Sequence, residues 1–414
     1  MILPFLLAGV IAGDPQATAD EPQASGDLQA QVDELNRRLD LLSRELETRE
    51  FAEEGILALD DPRSYGVSPT AARVYDSDGD VSIGGYGEVF YQNRAGSGDT
   101  ADALRGVLYI GKRFDDRFVL NSEFEFEHAG TSGGGSSSIE FLYLDWLMRP
   151  SFNLRFGLLL VPMGLVNELH EPTTFLPAMR PVVEQRIIPS TWRENGIGAY
   201  GDLGPISYTA YVINGLDASG FSAGGLRGGR QKGSRAMADD LALVVAADYT
   251  ARPGLVAGGS VYVGDSGQSQ PGIGDAGTEI AEVHVDYRRG GWRVRALFAM
   301  ARLDDVDALN AGLGLAGDDS VGEELRGGYL ELGYDVLAAV TEETRASLTP
   351  FARYETLDTQ ASVPSGFASA DANDEEILTF GVAFQPISSI IFKVDYEDRD
   401  QSTDRWNASI GYIF

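Results

Sequence analysis

The chain has 414 residues, with 63 acidic against 32 basic side chains, a formal charge of −31, 50 Gly and no Cys. So acidic a balance excludes a nucleic-acid partner, because binding phosphates needs a basic footprint. The lack of Cys excludes disulfide staples, thiolate zinc sites and thiol nucleophiles; His128, His170 and His284 are too scattered for a metal cluster, so no metal or cofactor is expected.

The apolar run at 2–12 (ILPFLLAGVIA) is too short to span a bilayer and is followed by Ala17-Thr18-Ala19. It predicts a secretory signal over 1–19 and a flexible N-terminus over 20–26, although no Lys or Arg precedes the run. From 27 to 54 the period becomes helical. Val32, Leu39 and Leu46 take the a positions of a coiled coil and Leu28, Leu35 and Leu42 the d positions. A seam of this kind has nothing to bury against alone, so it either pairs with copies of itself, predicting a homotrimer, or packs on the mouth of the following domain. Residues 55–80, with Pro62, Gly66, Pro69 and an acidic end, read as a linker. The DSDGD run at 76–80 has calcium-like spacing without the downstream Glu, and reads as a solvated turn.

Beyond Val81 the apolar period falls to two, as in a half-buried strand. The clearest case is 117–128, where Phe118, Leu120, Phe124 and Phe126 face one way and Glu123, Glu125 and Glu127 the other. Sixteen such segments follow: 82–92, 103–113, 117–128, 138–149, 153–162, 193–202, 206–215, 240–250, 255–264, 278–288, 292–302, 325–336, 347–357, 375–385, 390–398 and 405–414. Short connections alternate with long ones, apart from 337–346. Outer-membrane barrels alternate in this way, with short periplasmic turns and long external loops, and an even strand number suits them. Trp146, Tyr249, Trp292, Tyr334, Phe384 and Phe392 gather beside the short turns as an interfacial girdle. The expected fold over 81–414 is therefore all-β, a sixteen-stranded antiparallel transmembrane β-barrel preceded by the short helical coiled coil.

One long connection, 163–192, is unlike the Gly- and Ser-rich others. Met163, Leu165, Val166, Phe175, Leu176, Met179, Val182, Val183, Ile187, Ile188 and Trp192 are too apolar for an exposed loop, and Pro172, Pro177, Pro181 and Pro189 restrict its backbone. It is expected to fold into the barrel as a constriction, the alternatives being an external lid or a trimer contact. Its Glu168, Glu171, Arg180, Glu184 and Arg186, opposite Arg295 and Arg353 on the wall, are the candidate solute-path residues. Alternation turns Arg105, Arg113, Arg155, Arg293 and Lys393 inward as well, among a larger number of carboxylates. In the 216–239 loop Arg227, Arg230, Lys232 and Arg235 form a basic cluster, open to reading as an anion funnel, a lipopolysaccharide contact or a solvated face.

The segments 157–165 (GLLLVPMGL), 180–189 (RPVVEQRIIP) and 192–196 (WRENG) resemble the strand-plus-loop signature of the phosphate-selective porin O/P family. The coiled coil resembles that of related dicarboxylate porins, which are trimers. The resemblance implies a passive outer-membrane channel for small hydrophilic charged solutes, phosphate or other anions, surrounded by lipid and lipopolysaccharide with its coiled coil in the periplasm. The family's lysine cluster has no counterpart, since only Lys112, Lys232 and Lys393 occur. Two other classes compete with this channel: a plugged barrel that anchors a periplasmic coiled coil, and a barrel enzyme. The second needs a nucleophile and base on one wall, and Gly130-Thr131-Ser132-Gly133-Gly134 matches a nucleophile motif only inside a Gly/Ser tract.

Overall fold

A computed structural model of the protein describes residues 65–77, 81–340 and 345–414. The expected signal, the N-terminal flexible stretch and the coiled coil of Leu28, Val32, Leu35, Leu39, Leu42 and Leu46 lie outside the described residues.

Sixteen strands close into one antiparallel barrel in simple up-and-down order. They are β1 Val81–Arg94, β2 Thr100–Arg113, β3 Phe118–Glu127, β4 Ser136–Arg149, β5 Phe152–Leu160, β6 Arg193–Leu203, β7 Ile206–Asn214 and β8 Leu241–Arg252, continuing as β9 Leu255–Gly264, β10 Thr278–Arg289, β11 Trp292–Leu303, β12 Glu324–Tyr334, β13 Ser347–Ser362, β14 Asp374–Ile387, β15 Ile390–Arg399 and β16 Arg405–Ile413. Every expected strand is present. The barrel closes through β1 and β16, where Gly85 and Phe414 exchange both backbone hydrogen bonds at 3.0 and 2.9 Å. Full closure leaves no strand edge unpaired, as a backbone in hydrocarbon requires.

The largest difference from expectation is β13, which runs five residues beyond its expected end at 357. Its last turnward pairs reach Ser362 through a register shift against β12, and Thr359 and Gln360 are buried in succession, so the alternation that marks a strand in sequence is lost there. Pro350 lies one residue below the last β12–β13 pair, Gly333 with Phe351, where a missing N–H costs no bond to that neighbour.

The two faces of the wall separate cleanly. Leu243, Val283, Phe298, Leu330, Val394 and Ile410 point outward and are exposed, whereas Glu123, Asp145, Arg155, Arg295, Arg353, Glu355, Lys393 and Asp395 point inward and are buried. A surface this apolar suits lipid. Ring pairs mark its lower border, Trp292 with Tyr334 at 4.9 Å and Phe384 with Phe392 at 6.3 Å, and Tyr396 with Trp406 at 5.1 Å lies nearer the opposite rim.

The interior is filled from two directions. From β5 the 161–192 connection turns inward, with Met163, Val166, Leu176, Ile187, Ile188 and Trp192 fully covered, and carries one helical turn, α2 (Val183–Arg186). From the chain preceding β1, residues 65–77 also enter the barrel, through α1 (Pro69–Ala72) and a 3₁₀ turn at Arg73–Asp76. This part of the expected 55–80 linker is packed chain, with Val67, Ala71, Val74 and Tyr75 buried. Glycines on the inner wall make room for both insertions: a Cβ at Gly84 or Gly111 would strike Thr70 or Val74, and one at Gly333 or Gly411 would strike Leu176 or Pro172.

Candidate constriction and solute path

The inward connection is built around a polar neck. Asn167 donates from Nδ2 to the carbonyls of Val161 (2.7 Å) and Trp192 (2.9 Å), and its Oδ1 accepts the Trp192 N–H at 2.6 Å, so one side chain ties the two ends of the loop. Glu184 organises the interior. Its Oε2 accepts the N–H groups of Leu165 and Val166, each at 2.8 Å, and its Oε1 accepts the Tyr329 hydroxyl of β12 at 2.6 Å. Burial raises the Glu184 pKa, while these donors pull it back down.

The tip is held by the far wall. Arg288, Arg293 and Arg295 converge on the Thr174 carbonyl at 3.1, 3.3 and 3.1 Å, with Asp286 accepting from Arg288 and Arg295. Lys393 donates to the Pro177 carbonyl at 3.0 Å and stands 3.7 Å over the Phe175 ring; Asp395 accepts the Ala178 N–H at 2.6 Å. Arg353 donates to the Met179 carbonyl at 3.2 Å and faces Glu331 at 3.8 Å, and Glu355 accepts the Val183 N–H at 3.0 Å. Arg295 and Arg353, expected as wall charges opposing the loop, thus both bind its backbone. Charge-assisted bonds of this kind exceed neutral ones in strength, so the tip is pinned at several points.

Of the loop's expected path residues, Glu171 and Glu184 are fully covered and Glu168 nearly so, with 6% of its surface exposed. Glu171 accepts the Thr70 N–H at 3.2 Å, and its carboxyl is pushed up to about 8, chiefly by burial. Arg180 and Arg186 keep partial exposure. Arg186 faces Glu375 of β14 at 3.6 Å. His170, not among the expected residues, stands between Glu123 (3.1 Å) and the Asn167 carbonyl (2.8 Å), and burial and Arg180 lower its pKa to about 3.

Arg180 belongs with cations that lie far from it in sequence. The 216–239 loop folds back over the inward connection: the Leu226 N–H donates to the Arg186 carbonyl at 2.9 Å, and Thr359 of β13 donates to the Ala223 carbonyl at 2.6 Å. Arg227 and Arg230 are thereby half-buried, while Lys232 and Arg235 remain exposed. Burial lowers the pKa of Arg227 to about 10, reinforced by the charge of Arg180, and that of Arg230 to about 9, reinforced by Arg227 and Arg193. Arg180 is itself lowered by burial and by Arg105. The run Arg230, Arg227, Arg180, Arg105 therefore leads from the outer loop to the β2 wall, each cation within electrostatic reach of the next.

Carboxylates border this run but are engaged in part: Glu140 pairs with Arg193 at 2.8 Å, and Glu88 and Glu125 face Arg105 at 3.5 and 3.9 Å. The Nε of Arg180 and one Nη of Arg227 are buried with no hydrogen-bond partner among the described residues. Sequence had shown Arg180 and the loop cluster separately. Their junction depends on a loop folded over a loop, and no periodic signal reports that.

A closed sixteen-stranded barrel whose third long connection folds inside defines the porin class of fold. Solved porin-type structures agree. The chain superposes on Salmonella typhi OmpF, solved with daunomycin, with a TM-score of 0.56 at 11% identity, covering 82% of this chain and 99% of that one. On a loop-deleted form of OmpT, an outer membrane protein of Vibrio cholerae, the score is 0.54 at 11% identity, covering 82% and 100%; on a trimer form of OmpT it is 0.53, with the same identity and coverage. The chain is also 37% identical over 374 residues to an Aquifex aeolicus (strain VF5) protein named only as uncharacterized, spanning 85% of each, and it belongs to the same family as that protein. No family model matches the chain.

Proposed function

We propose that the protein is an outer-membrane channel for passive diffusion of small hydrophilic charged solutes, with a preference for anions, and that it has no enzymatic role. The observation that carries the anion preference is the run from Arg230 to Arg105, with one guanidinium N–H group at each of Arg180 and Arg227 that no acceptor among the described residues takes up. A buried guanidinium N–H left without an acceptor favours any oxyanion or halide that can replace its lost hydration. The resemblance to phosphate-selective porins at 157–165, 180–189 and 192–196 points to phosphate or a related anion. The exposed Lys232 and Arg235 suit a first encounter with an anionic solute or with lipopolysaccharide phosphates at the rim. Homotrimers joined by the barrel and by the seam of Leu28, Val32, Leu35, Leu39, Leu42 and Leu46, with the coiled coil in the periplasm, complete the reading. Reconstitution in a planar bilayer tests it: stable conductance steps are expected, with a reversal potential in a KCl gradient displaced toward chloride.

A second reading has its own observation. The inward connection is fastened to β3, β10, β11, β12, β13 and β15, and residues 65–77 share the lumen with it. An interior so well fastened also suits a plugged barrel that anchors the coiled coil. Repeated insertion without conductance, by a barrel whose circular dichroism is native, selects that reading.

A further inference from the structure

Residues 65–77 enter the barrel ahead of β1 and line the wall from β1 to β5. Thr70 sits against Gly84, and Val74 against Gly111. Asn121 of β3 donates to the Ala71 carbonyl at 2.9 Å, and Arg113 of β2 to the Tyr75 carbonyl at 2.8 Å. Tyr75 is the deepest anchor. Its hydroxyl donates to Asp145 at 2.7 Å, accepts from Arg155 at 3.0 Å, and lies 3.0 Å from the Tyr143 hydroxyl; its ring stacks on Tyr65 at 3.7 Å.

The opposite side of the segment meets the inward loop. Ser68 donates from Oγ to the Glu168 carbonyl at 3.2 Å, and the Thr70 N–H donates to Glu171. Gly66, at φ +64°, passes close to the Glu168 carboxylate, where a side chain would collide with it. Wall, segment and loop therefore form three successive layers. The far side of the same loop is pinned to β10–β15 by ionic groups, whereas its near side, toward β1 and β2, rests on this segment.

We propose that residues 65–77 are a lumenal strap that sets the size limit of the channel: they occupy the sector along β1 to β5 and hold the near side of the 163–192 loop. This rests on the reading of the protein as a channel. Apolar contacts at Val67, Ala71 and Val74 and a tyrosine held by an Arg–Asp pair are what a segment needs to remain seated in a wetted lumen. Inner-wall glycines at 84 and 111, where a larger residue would displace the strap, give the wall a matching groove.

The test uses the full chain in planar bilayers. Val74→Asp with Tyr75→Ala should release the strap while leaving the Asp145–Arg155 pair in place. Because flux through an aqueous pore grows with its open area, conductance should rise above that of the wild type, and larger neutral polyethylene glycols should enter. A complementary variant reaches the strap from the wall: Gly111→Leu places a side chain where Val74 sits. Its conductance and exclusion size should rise as those of the released channel do. Equal conductance and equal polymer exclusion in released and wild-type channels would overturn the proposal and leave the channel reading intact. A silent wild type beside a conducting released variant would keep the strap and defeat the reading of a standing-open channel; silence in both would overturn the two together. Should the released variant fail to fold, a folded Gly111→Leu channel with wild-type conductance and polymer exclusion would overturn the assignment of the strap as a seated wall.

Discussion

The two flanks of the inward loop carry charges of the same kind put to different ends. Toward β10–β15, Arg288, Arg293, Arg295, Arg353 and Lys393 donate to loop carbonyls, and Asp395 and Glu355 accept loop N–H groups. Toward β2 and the 216–239 loop, Arg180 donates from one Nη to the His170 carbonyl at 3.5 Å, while its Nε and one Nη of Arg227 are buried without an acceptor among the described residues, as is the Nε of Arg353 on the other flank. The first flank fixes the loop, and on the proposed channel reading the second acts on solute. A charge total therefore misleads about selectivity, because a guanidinium committed to a backbone carbonyl and a facing carboxylate presents little net field, whereas an uncommitted one in a narrow, poorly screened opening presents most of its own.

The comparison is broken most severely at Glu184. Glu184→Ala leaves two buried loop N–H groups and the Tyr329 hydroxyl without their acceptor, at about 1–3 kcal/mol for each group that water cannot reach. The expected outcome is a barrel that forms but whose loop is cleaved by protease and whose current is noisy; Glu184→Gln should retain part of the order. A smaller effect is expected at the far anchor. Arg353→Met deletes the bond to the Met179 carbonyl and strands Glu331, a loss on the order of 3 kcal/mol for a fully buried pair and less where water enters. Chemical denaturation should show it as lowered stability, with only a minor shift in reversal potential.

Much of this was legible in the sequence and some was not, for identifiable reasons. The strands were readable because one face meets lipid and the other a polar lumen, which enforces a period of two; β9, rich in glycine, was placed from 255 to 264 with the bounds the structure gives it. The inward course of 163–192 followed from its apolar content. Which inward charges hold the loop was not readable, since the bond from Arg295 to the Thr174 carbonyl joins positions 121 residues apart and its acceptor is a backbone atom that no side-chain pattern records. Residues 65–77 did leave a trace: Val67, Ala71, Val74 and Tyr75 recur at helical spacing, although Val67 precedes the turn Pro69–Ala72, and Val74 and Tyr75 lie in the 3₁₀ turn that follows it. Glycine and proline on either side gave the stretch the look of a linker.

A pH dependence sharpens the contact between strap and loop. Glu171 titrates at about 8 in the folded protein against an ordinary 4.5, so its neutral form is favoured by folding. Its contribution to stability is full below about pH 4.5, declines as pH rises toward 8, and is flat above. Glu171→Gln should remove its share of the decline, which thermal unfolding followed from pH 4 to pH 9 would show as a flatter profile than that of the wild type.

The most direct test of the account is the reversal potential, in a KCl gradient, of Arg180→Ala with Arg227→Ala set beside Arg295→Ala with Arg353→Ala. The account predicts that the first pair moves an anion-preferring channel markedly toward potassium at unchanged fold, while the second mainly raises current noise and alters selectivity less. A larger selectivity shift from the Arg295 and Arg353 pair, or a wild-type channel that already prefers potassium, would contradict it.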